Sequence, residues 1–263
     1  MDIKAYYEVS IKRNDVDNIY SLLICECENN AQPVVFFNRE LRDPSSNVWN
    51  IKYSGFPSEV ISQNGFKSPL QRFINMDRFH HYCQNGYFSS QYCSFQQIKK
   101  EKDTWMATHM EAQHDDFSSL VKCLNFEKYR NSEIWLNSRP IINLTLYYPV
   151  LILKGDLFIA LLINNQLTLK KTDHVQFQKN YFSSKTTLDE SNCYHIDVIK
   201  EGFLSSYLNM VKKEISIIQK KLVERKNDID ITIKYVVSEK RKRIEQLASE
   251  SSTCPPKFPR EFK

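Results

Sequence analysis

Near its N-terminus the chain alternates apolar and polar residues with the period of a β-strand. Tyr7, Val9 and Ile11 fall on one face and Glu8, Ser10 and Lys12 on the other, and the following Arg13-Asn14-Asp15-Val16-Asp17-Asn18 is turn-forming. Ile19 opens a second strand that runs through Leu22-Leu23-Ile24-Cys25 and ends in Glu26-Cys27-Glu28. The pattern predicts a β-hairpin. A loop over Asn14–Asn18 places Glu8 opposite Ile24 and Ser10 opposite Leu22, which makes Glu8 a diagonal neighbour of Glu26. Val9, Ile11, Leu23, Cys25 and Cys27 then form the core-facing side. Gln32–Asn38 predicts a third antiparallel strand.

Residues 41–69 are rich in Pro, Ser, Asn and Gly and read as irregular, with Asn47–Tyr53 a candidate strand. Leu70, Phe73, Ile74 and Phe79 predict helix from Pro69 towards Cys93, interrupted near Asn85-Gly86. A longer helix is expected from Asp103 or Thr104 to about Tyr129, its buried stripe Phe117, Leu120, Val121 and Leu124. His109, Gln113 and Asp116 lie on another face and read as solvated. Asn143–Leu153 and Asp156–Ile163 are apolar runs around Lys154-Gly155 and predict a hairpin. Leu167–Lys171 follows Asn164-Asn165, a second hairpin signal, and Tyr194–Ile199 predicts the last strand. The expected class is α/β.

Between Gly202 and Pro255 there is no Gly or Pro, and Leu204, Leu208, Val211, Ile215, Ile218 and Leu222 make a heptad seam. A long helix follows, or a helical hairpin if Asn227-Asp228 caps a second helix. Such a seam packs against the domain, closes a helical hairpin, or makes a homodimer. The resulting division is a core over 1–200, a helical extension over 201–250 and a disordered tail over 251–263.

Charge sharpens this division. Of the net +5, residues 1–200 contribute nothing, with 22 basic against 22 acidic side chains, while residues 201–263 carry 14 against 9. Attraction to phosphate is therefore expected at the C-terminal end, where Lys240, Arg241, Lys242 and Arg243 are consecutive. Five glycines in 263 residues, with neither GxxxxGK[ST] nor GxGxxG, argue against glycine-built phosphate loops. The longest apolar run, Tyr147–Leu153, is too short to span a bilayer, and Met1-Asp2-Ile3-Lys4 opens no signal-peptide pattern, so the expected location is cytoplasmic. Seven scattered cysteines read as core residues or free thiols. His80, His81, Cys83 and Cys93 contain zinc-ligand chemistry, in a spacing that fits no standard finger.

Glu26 and Glu28 project side by side at the end of a buried strand, a repulsive pair unless a cation sits between them. Together with its flanking strands this stretch resembles the PD-(D/E)xK, or restriction-endonuclease-like, nuclease superfamily. There a first acid stands in a string such as T-E-V-D and a second in I-E-C-K, followed by a P-(V/W)-V-F-F strand. The matching strings are Tyr7-Glu8-Val9-Ser10, Ile24-Cys25-Glu26-Cys27-Glu28 and Pro33-Val34-Val35-Phe36-Phe37, and Tyr148–Phe158 resembles a later strand and hairpin.

The resemblance implies a restriction-endonuclease-like core of hairpin, third strand, central helices and later hairpin. It also implies Mg²⁺- or Mn²⁺-dependent hydrolysis of DNA phosphodiesters, with Glu26 as a ligand; Glu8, on the same face as Ser10 and diagonal to Glu26, is the candidate second ligand, and Glu28 the base or third ligand. Two departures stand out. Ser10 occupies the position of a metal-binding Asp, and a hydroxyl is a poor ligand for a hard cation; Glu28 occupies that of the Lys. The alternative expectation is an inactive nuclease-derived module that binds nucleic acid or a protein through its C-terminal helices.

Overall fold

Strands β1 (Ile3–Ser10) and β2 (Val16–Glu28) form the antiparallel hairpin that the alternation predicts, in a computed structural model that describes residues 3–10, 16–30, 32–97, 105–108, 111–137, 142–181 and 192–252. The register differs from the expected one. Glu8 pairs with Tyr20 and Ser10 with Asn18, not with Ile24 and Leu22. The shift is four residues, an even number, so every side chain keeps its face, and a period-2 pattern cannot separate the two registers.

The chain continues through β3 (Val34–Glu40), a 3₁₀ turn over Pro44–Asn50, β4 (Tyr53–Ser54), β5 (Glu59–Ile61) and β6 (Lys67–Pro69). The helix expected towards Cys93 is broken into α1 (Leu70–Phe73), a 3₁₀ turn over Met76–Arg78 and α2 (His81–Gln84), after which β7 (Tyr87–Gln97) is extended. Then come β8 (Trp105–Thr108), α3 (Glu111–Asn137), β9 (Ile142–Leu153), β10 (Leu157–Ile163), β11 (Gln166–Thr172), β12 (His174–Asn180) and β13 (Cys193–Lys200). Two helices follow, α4 (Leu204–Glu224) and α5 (Lys226–Ser252). Residues 253–263, most of the expected tail, and the start proposed for the long helix at 103–104 lie outside the described residues, as does His109.

The fold is α/β, built among the described residues on an eleven-stranded mixed sheet in the order β1-β2-β9-β13-β12-β7-β3-β10-β11, with β4 added to β9 and β8 to β7. Two pairings correct the expectation. The third strand, β3, does not join β2 but lies antiparallel to β7 and parallel to β10. Nor do β9 and β10 make a hairpin; β9 is parallel to both β2 and β13. The Asn164-Asn165 hairpin between β10 and β11 is as expected, both asparagines at positive φ (49° and 61°), as a two-residue I′ turn demands.

The strand order forces the sheet to curve. Five inter-strand steps separate β9 from β10, roughly 24 Å in a flat sheet. Residues 154–156, the only link between them, let Leu153 and Leu157 lie at most about 14 Å apart. The sheet therefore curls, and β2–β3 and β9–β10 make the same bend side by side. Hydrogen bonds join the two connectors: the Lys154 amide to the Glu28 carbonyl (3.2 Å), the Gly155 amide to Asn30 Oδ1 (3.0 Å) and the Val34 amide to the Asp156 carbonyl (3.0 Å). A Cβ on Gly155 would lie 2.5 Å from the Asn30 carbonyl oxygen, so the close approach requires glycine there.

Both faces of the sheet are covered. Inside the curl, Phe117, Leu120, Val121 and Leu124 of α3 pack against Leu22, Ile24, Val34, Phe36, Leu151 and Phe177. This is the stripe read from the sequence. On the outer face Leu23, Cys25, Tyr148 and Val150 meet α1, α2, α4 and the start of α5. The heptad seam is consumed here: Val211, Ile215, Ile218 and Leu222 are buried in the chain's own core, and of the seam Leu208 is left exposed. The seam thus supplies intramolecular packing rather than a free dimer face. Helix α5 is separate from α4, broken at Arg225. It contributes Ile229 and Ile233 to the same core, and from Ser238 to Leu247 its residues are exposed or half-buried. No helix among the described residues is long and apolar enough to cross a membrane.

Candidate functional site

The sequence-predicted carboxylates divide into two places. Glu26 and Glu28 sit on the side of β2 that faces α3, opposite Leu151 and Leu153, with Glu26 buried to 6% exposure and Glu28 half-buried. Glu8 is exposed, and its carboxylate accepts a hydrogen bond from the Tyr20 hydroxyl at 3.3 Å. From Tyr20, its partner, Glu26 is six residues further along β2, roughly 20 Å. The structure therefore keeps Glu26 beside Glu28 and removes Glu8 from both. Ser10, at the far end of β1, is more distant still. Lys240, Arg241, Lys242 and Arg243 lie on the outlying part of α5, where Lys242 pairs with Glu239 at 2.9 Å.

A second constellation is buried on the sheet's outer face. In β13, Tyr194, Ile196 and Val198 point towards α3, so the alternation sends His195 and Asp197 the other way, under α4. Neighbouring β12 places His174 and Gln176 on that same side. From α4 come Tyr207 and Glu214, two turns apart and therefore on one face. Helix α2 starts here: His80 is its N-cap, its Nδ1 accepting from the Tyr82 amide (3.3 Å), and His81 and Tyr82 follow.

His81 is at the centre. Its Nδ1 lies 2.8 Å from Glu214 Oε1 and its Nε2 lies 3.0 Å from Asp197 Oδ2. With a carboxylate oxygen at each ring nitrogen, both nitrogens carry protons and the ring is a cation. Burial works against that charge, but Glu214 and Asp197 outweigh it and raise the His81 pKa to about 10. Burial also opposes ionisation of the two acids, yet His81 and His174 hold Asp197 well below the usual carboxylate range, and His80 and His81 lower Glu214. Asp197 further accepts from the hydroxyls of Tyr207 (2.7 Å) and Tyr82 (3.1 Å) and meets His174 Nε2 at 2.7 Å. Tyr148 donates to Glu214 Oε2 (3.2 Å), and burial beside these acids raises all three tyrosine pKa values. His80 and His195, by contrast, are pushed down to about 4 by burial. His174, 20% exposed, reaches closest to solvent.

Among the described residues, one group of ligand-bearing side chains converges closely enough to hold a metal ion: His80, His81 and Glu214, with one donor atom each, all within 4.8 Å of one another. The sequence singled out the two histidines but with the wrong companions. Cys83 is a buried core thiol raised to about 12 by burial, and Cys93 lies on β7. Glu214 and Asp197 are not singled out by the sequence, because each is a lone acid inside an apolar pattern. The available signal was positional: Glu214 stands three residues after Val211 and four before Ile218, inside the seam.

No family model, curated protein or solved structure matches the chain.

Proposed function

We propose that this chain is a nuclease-derived nucleic-acid-binding module that does not hydrolyse phosphodiester bonds. The observation that carries the reading is the register of the first hairpin, with Glu8 on Tyr20 and Ser10 on Asn18. A restriction-endonuclease-like ancestry is supported by one pairing: β9, which follows α3, lies parallel to the hairpin strand bearing Glu26 and Glu28. Hydrolysis by that design needs two acids on one hard cation that also touches the scissile phosphate. Glu8 stands too far along the hairpin to join Glu26, Ser10 offers no charge, and Glu26 is buried against α3 where a duplex does not reach.

Binding is assigned to the outlying half of α5, whose four consecutive basic residues lie away from the core. Phosphate contacts by such a helix release counterions, so affinity falls steeply with salt. The test combines a plasmid-nicking assay with Mg²⁺ or Mn²⁺ and duplex binding followed by fluorescence anisotropy across a salt series. We expect no nicking, binding that survives Glu26→Ala, and a shallower salt slope, by about one per lost contact, when Lys240, Arg241, Lys242 and Arg243 are replaced by Ala. Nicking by the wild type that Glu26→Ala abolishes would overturn the proposal.

A further inference from the structure

We propose that His80, His81 and Glu214 form a binding site for one divalent first-row transition-metal ion, of which zinc is the probe of choice. This inference is independent of nucleic-acid binding.

The donor set is two imidazoles and one carboxylate, which suits zinc, cobalt, nickel or ferrous iron and disfavours magnesium, whose sites are all oxygen. The donors stand at the spacing of an unloaded site. Bonds of 2.0–2.1 Å in a tetrahedral site put neighbouring donors about 3.3 Å apart. One donor atom from each residue lies within 4.8 Å of the others, with His81 Nδ1 2.8 Å from Glu214 Oε1, so loading draws the widest pair together by up to about 1.5 Å. The elements that carry the donors, α4 and α2 with its N-cap residue His80, are packed against one core.

The surrounding residues are those a metal site requires. Asp197 accepts from His81 Nε2, the carboxylate–histidine arrangement that fixes tautomer and ring orientation around bound metals. Tyr148 holds the second oxygen of Glu214. Gln176, 2% exposed, donates its Nε2 hydrogen to the His81 carbonyl at 2.9 Å, while its Oε1 is buried with no hydrogen-bond partner among the described residues. Three protein ligands leave a fourth coordination position open to water.

Loading exchanges one proton, released to solvent, for the ion. His81 Nδ1 gives up the proton it shares with Glu214, and Nε2–H remains on Asp197. Coordination through His80 Nε2 places that ring's proton on Nδ1 and ends the 3.3 Å bond from the Tyr82 amide. That amide is therefore a reporter of loading.

The experiment is calorimetric titration of the chelator-stripped full-length chain with zinc and, separately, magnesium. We expect one equivalent of zinc, no magnesium uptake at the same concentrations, loss of the site in His80→Gln and Glu214→Gln, and affinity lowered roughly 10–100-fold in Asp197→Asn. Absence of zinc uptake, or uptake unchanged in both ligand variants, overturns the proposal. Should those variants not fold, side-chain nitrogen NMR of the wild type decides. Zinc must shift two of the six histidines together and move the Tyr82 amide, whereas shifts confined to other histidines reject the site.

Discussion

One oxygen of Glu214, Oε1, accepts both the backbone amide of His81 at 2.6 Å and its ring Nδ1 at 2.8 Å. The contact ties the first turn of α2 to the middle of α4 and leaves the His81 ring no rotational freedom. It also makes the two residues energetically inseparable, since each is buried and each neutralises the other.

Removing one member of such a pair leaves a buried, uncompensated charge. Glu214→Ala should lower stability by about 3–5 kcal/mol. Tyr207→Phe, which deletes only a hydroxyl donor to Asp197, should cost about 1.5–3 kcal/mol. Urea unfolding followed by circular dichroism measures both, and equal losses would mean that charge is not the dominant effect at Glu214.

The hairpin register predicts a specific set of backbone proximities. Nuclear Overhauser effects should link Glu8 with Tyr20 and Ser10 with Asn18; a Glu8–Ile24 contact would restore the register that carries Glu8 towards Glu26. These two registers show how far the sequence could be read. The hairpin and its faces were legible because alternation survives any even shift, while the register was not, for the same reason. Asn164-Asn165 was read correctly because turn and pairing are local. Lys154-Gly155 was misread because an equally good turn signal there joins strands whose partners, Val34 and Glu28, come from elsewhere in the chain.

At the bend, Gly155→Ala drives a methyl into the Asn30 carbonyl and should cost roughly 1–3 kcal/mol. Gly86→Ala has open space around the added carbon and should stay within about 0.5 kcal/mol of wild type. Thermal unfolding of the two variants compares them directly, and equal midpoints would contradict the tight approach of the two connectors.

The seam offers an internal control on packing. Ile215→Ala should lose about 2–5 kcal/mol by opening a cavity. Leu208→Ala, at a position 42% exposed, should be close to neutral. The seam was legible as a pattern of spacings. What it packs against was not, because the spacing of Val211, Ile215, Ile218 and Leu222 is the same whether the partner is another chain or the chain's own sheet. The buried polar site was the least legible part, since amphipathic reasoning sorts Asp197 and Glu214 outward and only the tertiary arrangement supplies the His81 cation that lets them stay inside.

The parallel pairing of β2 with β9 also sets an order of events during synthesis. The hairpin leaves the ribosome with Leu22 and Ile24 on one face and Leu23 and Cys25 on the other, long before either β9 or the helices that cover those residues exist. Local pairing of β1 with β2 is available at once; burial of β2 waits for loop closure over α3 and everything between. The nascent chain therefore carries a two-faced apolar strand through most of its elongation, the stage at which chaperone capture or intermolecular strand pairing competes most strongly with folding.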